Sequence, residues 1–321
     1  MDKRLGAFIV PTGLGASIGG YAGDASFWAR KFAENFRLIV NPNVVNAGCF
    51  SGITDNMLYV EGFSIDEFFK GNITLSPTKR KNKIGVVFDK SIPKGILNVH
   101  INTINAVKTI YDCDIIGWDI TDNEVGVEFI VDESGISTGT VRDIKTVSDS
   151  AKRLIEKGAE AIAIVCRFKE DDFDDYSNGI GVDPVGGVEA IISHYISREL
   201  KIPCAHSPAF DDITITQEIV DPRCSAEYIT PTYLPCILLG LSLAPHISTD
   251  KGGIGIDDLD FLVMPHNSLG SIPVTESVKR GIKVYAVKEN NTVLDVTKSK
   301  ISDKITETET YEEALEKALR Y

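Results

Sequence analysis

AEAIAIVCRF, residues 159–168, carries no charged side chain between Glu160 and Arg167. A strand with one wet face alternates polar and apolar residues. A short unbroken apolar run instead suits a strand covered on both faces of a parallel sheet. Its neighbours agree. Before it, residues 146–157 place Val147, Ala151, Leu154 and Ile155 on one helical face, and Gly158 ends the pattern. After it, VEAIISHYISREL (188–200) reads as a helix that leads directly into a strand, IPCAHSP (202–208).

The same grammar extends outward. LGAFIVPT (5–12), RLIVNPN (37–43), KIGVVFD (83–89) and DIIGWDI (114–120) read as strands. Helices are expected over 25–35 with Asp24 as cap, over 96–111, and around 224–230. Ser64 and Glu67 have capping-box spacing before an apolar pair, as do Thr310 and Glu313 before the terminal helix. Residues 258–290 form a βαβ unit with Pro273 in the first helical turn and Gly281 at its end. Alternating strands and helices predict an α/β fold with mostly parallel sheets. Val125, Val127, Phe129 and Val131 alternate at period two before a turn, so 124–143 reads as a hairpin-like insertion. It is the expected boundary between an N-terminal lobe (1–123) and a C-terminal lobe (144–321).

Bulk properties narrow the function. The 321 residues include 33 basic and 46 acidic ones, a formal net charge of −13. No stretch is basic enough to follow a phosphate backbone, which argues against nucleic acid, and an acidic membrane surface would repel the chain. No apolar run approaches the ~20 residues of a membrane span, and a soluble cytoplasmic protein is expected, with homo-oligomers left open. The six cysteines form no C-x-x-C pair, so reduced thiols are expected rather than zinc ligands or disulfides. The five histidines are scattered, and His194 lies five residues from Glu189, a poor metal pair on a helix. No cofactor is predicted; a divalent metal is left open.

IVPTGLGASIGGYAGDA (9–25) raises the question of a phosphate cradle. Gly13, Gly15 and Gly19 fit only G-x-G-x-x-x-G, and the next strand ends in Asn41-Pro42-Asn43 without the acid that would hold a ribose. A dinucleotide is therefore not expected. Gly13, Gly15, Gly19 and Gly20, with Asp24 and Asn43, either wall a site for a smaller anion or make a packed turn.

The densest chemistry lies between 166 and 206, where ligands of open α/β sheets bind beyond the strands' carboxyl ends. Asp183, Glu189 and His206 are the candidate proton carriers, and Arg167 is the fork for a substrate carboxylate or phosphate. Gly186 and Gly187 open the following helix, where negative charge is favoured. Cys166 and Cys204 stand at strand ends, as paired thiols do in cofactor-independent amino-acid racemases, although neither VCRF nor PCAH has the flanking residues of those enzymes. Ser134 and Thr138 (in DESGISTG) and Asn267 and Ser268 (in MPHNSLGSIP) are further anion-binding candidates. The acidic run 170–175 reads as a solvated loop, with a divalent-ion site as the other reading.

PTGLGASIGGYAGDA, NGIGVDPVGGVEAIISH, IPCAHSPAF and YLPCILLGLSLAP closely resemble a family of bacteria, cyanobacteria and plastids catalogued as a domain of unknown function. The resemblance runs nearly end to end and implies one family-wide unit, soluble in cytosol or plastid stroma. It supplies no activity. Members of that family carry a Cys-Gly-Gly turn near the last βαβ unit; here His266-Asn267-Ser268-Leu269-Gly270 replaces it, which removes thiol chemistry from that turn.

Three functions are carried forward. The first is an enzyme acting on a small anionic metabolite by acid–base chemistry, as an isomerase or racemase, hydrolase or lyase, in an interlobe crevice. The second is a glycosyl or phosphoribosyl transferase, resting on a loose likeness of RGIKVYAVKENNTVLDV (280–296) to the last βαβ turn of such enzymes in cobalamin synthesis. The third is a non-catalytic ligand sensor or structural protein.

Overall fold

The computed structural model describes residues 3–169, 176–250 and 252–321. Two parallel sheets dominate it. The larger has six strands in the order Thr306–Thr308, Lys283–Val287, Leu259–Pro265, Leu5–Phe8, Arg37–Val40, Met57–Tyr59. The chain therefore winds outward from Leu5–Phe8 in one direction, and later returns to its other side. That is the doubly wound order, with a topological switch point between Leu5–Phe8 and Leu259–Pro265. The smaller sheet orders Cys204–Phe210, Ala161–Phe168, Ile84–Phe88 and Ile115–Ile120, again all parallel.

Alternate residues of the strands feed different cores, as the two-residue period requires. In the first strand Phe8 and Val10 enter one apolar cluster, while Leu5, Ala7 and Ile9 enter another. The cluster holding Phe8 also holds Ile84, Val86, Phe88 and Val165 of the smaller sheet, so one continuous core joins the two. Helix Leu234–Ser242 lies within it, apolar on every side and buried along almost its whole length. Its Gly240 is set by close approach: a Cβ there would stand 2.6 Å from the Tyr59 ring.

The halves expected on either side of residues 124–143 do not match these sheets. Residues 5–59 and 259–308 share the larger sheet, and 84–210 supply the smaller one. The hairpin itself forms, Val127–Val131 against Ser137–Val141, but among the described residues its strands pair only with each other. It packs on helix Gly186–Leu200 and clamps the loop after the first strand: Ser137 N–H donates to the Gly13 carbonyl at 2.9 Å.

Two expected caps are replaced by other contacts. Helix Ser26–Asn35 has no side-chain cap, because Asp24 turns back and accepts from Gly19 N–H at 2.6 Å. Helix Gly62–Lys70 is capped by Glu61, whose carboxylate accepts from Phe63 N–H and Ser64 N–H. Glu67 instead serves that helix's other end, taking Lys70 and Asn72. At the terminal helix Tyr311–Arg320, Thr310 does accept from Glu313 N–H, while the Glu313 side chain takes Glu309 N–H.

Candidate functional site

A cavity of about 620 Å³ opens where the carboxyl ends of both sheets meet. Pro11 and Thr12 follow the first strand, Asn41 and Asn43 the second, and Met264 closes the strand across the switch point. From the smaller sheet come His206, Pro208 and Phe210, and helix Gly186–Leu200 adds Glu189, Ser193 and His194. Both strand sets thus aim their loops at one volume, of a size that suits a small metabolite.

Glu189 and His206 face each other across its wall, Oε2 to Nε2 at 3.6 Å. Ser193 fixes the imidazole. Its hydroxyl lies 3.0 Å from His206 Nδ1 and donates back to the Ala190 and Glu189 carbonyls of its own helix at 3.2 and 3.3 Å. With its proton committed there, Ser193 accepts from Nδ1–H, and Nε2 keeps its lone pair toward Glu189. Burial holds His206 neutral, pushing it down to about 3, with His194 adding to the effect. Burial pushes Glu189 well above the carboxylate range, reinforced by the charges of Asp183 and Glu227. Glu189 sits in the first helical turn, where the dipole favours its anion by only about 0.3–1 kcal/mol. Desolvation and two neighbouring carboxylates outweigh that. The proton rests on Glu189 and the lone pair on His206.

More acids stand behind this pair. Asp183 accepts from Val185 N–H at 3.0 Å, and Gly186 N–H also points at its carboxylate, yet burial still raises it. Glu227 Oε1 takes Ala22 N–H at 3.1 Å and the Tyr176 hydroxyl at 3.2 Å. Burial, with the Asp183 charge second, pushes Glu227 up to about 8, and burial pushes Asp24 up to about 7. Glu61 lines the cavity as well, with His194 Nε2 3.8 Å from its Oε2. Among the described residues no lysine or arginine lines the cavity. No group of three or more His, Cys, Asp or Glu among them is arranged to hold a metal ion.

The sequence candidates divide sharply. Asp183, Glu189 and His206 come together on the cavity, joined by Gly20, Asn43 and Gly186. Asn43 holds the glycine loop by donating to the Gly19 carbonyl at 2.6 Å. Arg167 does not reach the cavity lining: Asp211 binds its guanidinium at both ends, at 2.6 and 2.7 Å. That fork is spent on a protein carboxylate. The helix amides meant for an anion are likewise taken, Gly186 N–H by Asp183 and Gly187 N–H by Ser137 Oγ at 3.0 Å. Gly13, Gly15 and Gly19 adopt positive φ in the packed turn (75°, 57° and 89°) and line no part of the cavity. Asp24 lies outside the lining too, holding Gly19. Ser134 and Thr138 are exposed on the hairpin, and Asn267 and Ser268 are buried in bonds to Thr292 and Pro265. The run 170–175 lies outside the described residues.

Neither candidate thiol lines the cavity. Cys204 donates to the Ser193 carbonyl and meets Ser197 Oγ, both at 3.0 Å, and burial pushes Cys204 and Cys166 well above the ordinary thiol range. A thiol so placed is neither nucleophile nor base. Iodoacetamide at mildly alkaline pH is expected to label the half-buried Cys49 first and leave Cys166 and Cys204 unmodified in peptide mass spectra. Alkylation of either at the rate of Cys49 would restore the paired-thiol reading.

Sequence reading missed Glu227, Tyr176, Tyr233 and Glu61, all of which line the cavity. Glu227 sits on a four-residue helix, Ser225–Tyr228, with no motif around it. Only Glu61 left a trace, as an acid just before an apolar helical pattern.

Fold and cavity together define a doubly wound α/β protein with a carboxylate-rich chamber at its switch point. The chain belongs to the family described as protein of unknown function (DUF3326), whose model matches residues 6–319. It is 37% identical over 297 residues to an uncharacterized lipoprotein of a Synechococcus strain, covering 90% of this chain and 82% of that one. No solved structure matches it. Among the described residues no helix is long and apolar enough to cross a membrane.

Proposed function

We propose that this protein is an enzyme that moves protons on a small polar metabolite held in the cavity, with His206 Nε2 as base and Glu189 as acid. The observation that carries this reading is the Glu189–His206 contact. Two buried groups 3.6 Å apart are held in opposite readiness, one with a proton to give and one with a lone pair to receive it. Both stand on one wall, so a proton taken from one atom of the ligand returns to a neighbouring atom on the same face. That favours isomerase- or lyase-type chemistry over two-sided racemisation. The bound molecule need not be anionic, because the arginine expected to hold an anion is engaged by Asp211.

The test does not require the substrate to be known. Candidate metabolites incubated with the protein in deuterium oxide are expected to show deuterium uptake at one carbon by NMR. Glu189→Gln and His206→Asn should each slow it about 10²–10⁴-fold while the thermal midpoint and circular dichroism stay folded. Exchange that is equally fast in both variants would sink the assignment. A sensor built on the same chamber would bind without exchange.

A further inference from the structure

Resting on the reading of this cavity as the ligand site, we propose that its ligand carries an ammonium group, as a primary amine on a short apolar body. Three observations on the chamber wall lead there.

The first is unmet acceptor capacity. Glu189 is only 6% exposed and its Oε1 has no hydrogen-bond partner; Glu227 Oε2 is buried and unpartnered as well. Orphaned buried oxygens of this kind call for a donor. The second is charge. Glu61, Asp66, Asp183, Glu189 and Glu227 line the volume, and none of the described lining residues is lysine or arginine. Among the described residues no lysine or arginine stands there to balance an anionic ligand. The third is the aromatic wall. Phe210, Tyr176, Tyr228 and Tyr233 also line it, with Phe210 and Tyr233 edge to face at 6.2 Å. Rings beside carboxylates attract an organic cation and shelter its apolar body.

The ammonium pairs with the Glu227 carboxylate and donates to Glu189 Oε1. The ammonium takes only Oε1 of Glu189, which leaves the Oε2 side of that carboxyl for proton transfer. The charged or titratable groups that raise Glu227 are Asp183 and Asp24, and Tyr176 donates to it; none is a cation. Pairing with an ammonium therefore ionises a carboxyl that is protonated when the site is empty. Binding below about pH 8 must release a proton, and affinity must rise with pH up to that point.

The experiment is calorimetric titration of the full chain with 1-aminobutane and 1,4-diaminobutane, beside 1-butanol and butyrate, in two buffers of different ionisation enthalpy. The amines are expected to bind with release of about one proton, and the alcohol and acid to bind at least about tenfold more weakly. Glu227→Gln keeps the acceptor for Ala22 and Tyr176 but cannot ionise; it should weaken amine binding about tenfold or more and abolish the proton release. Butyrate binding as well as the amines overturns the proposal. So does amine binding that Glu227→Gln leaves unchanged, or no amine binding at millimolar concentration by protein with a normal thermal midpoint. Amine binding without deuterium exchange would keep this inference and remove the acid–base reading. Exchange on a neutral or anionic compound, with no amine bound, would do the reverse.

Discussion

Gly187→Ala is expected to lower the thermal midpoint by roughly 5–10 °C, the cost of about 3–5 kcal/mol. A methyl group at this position would stand 1.9 Å from the Ser137 carbonyl oxygen, 2.3 Å from its carbon and 2.7 Å from Thr138 N. All three are backbone atoms, and the backbone there is not free to move. Ser137 N–H donates to Gly13, Ser137 Oγ donates to Pro184, and the same Oγ accepts from Gly187 N–H. Relief would break at least one of these bonds and lift the hairpin from the helix. Gly95→Ala is the contrast, because no atom lies within 4 Å of its added methyl; that variant should match or slightly exceed the parent. Differential scanning fluorimetry separates the two. If Gly187→Ala melted like the parent yet lost ligand binding, the glycine pair would be an anion cradle after all.

Stability is expected to fall as pH rises from 6.5 to 8, and Glu227→Gln should lessen that fall by about 1.5 kcal/mol. The folded protein keeps the Glu227 proton up to about pH 8, whereas an unperturbed glutamate releases it near 4.5. Its contribution is complete below 4.5 and is lost as pH climbs to about 8. Asp24 acts in the same sense between 3.8 and about 7. His206 acts oppositely: held neutral down to about 3 against a usual 6.5, it costs stability as pH falls through 6.5. From 6.5 to 8 it contributes a rise of only about 0.4 kcal/mol, so the carboxyls dominate that interval. Because Glu227 keeps some exposure to the cavity, solvent screening trims the effect rather than reversing it. The side-chain amide introduced by Glu227→Gln retains the acceptor that Ala22 and Tyr176 use, so the variant folds with its clasp intact. A flat or rising parent curve over this interval, by urea unfolding at each pH, would contradict the protonated state assigned to Glu227. So would an undiminished fall in the variant.

The parallel sheets were legible because burial on both faces leaves an uninterrupted apolar run, and residues 161–168 carry it plainly. Strand order was not. The pairing of Leu5–Phe8 with Leu259–Pro265 leaves no local mark, so the hairpin at 124–143, a visible change of texture, reads as the boundary. Asp183, Glu189 and His206 stand out because ends of strands and first turns of helices are where loops converge. Arg167 has the same address, but the partner that engages it, Asp211, lies 44 residues away. Caps failed for a related reason. Ser64 and Glu67 have the right spacing, yet the Glu61 carboxylate is the stronger acceptor and sits in place first. Local patterns state what a residue can do; competition from distant residues decides what it does.

The return of the chain to its first strand sets a timetable for biosynthesis. Leu5–Phe8 leaves the ribosome about 250 residues ahead of its neighbour Leu259–Pro265, which follows only after the whole smaller sheet has been made. At ~5–20 residues per second this is a wait of roughly 10–50 s. Until then a fully apolar strand, destined for the middle of a sheet, is paired on one side only and offers its other edge to any passing chain. The smaller sheet, whose strands all lie between Ile84 and Phe210, has every partner it needs long before. Nascent chains of this protein should therefore occupy chaperones through Leu5–Phe8, and be released when Leu259–Pro265 arrives.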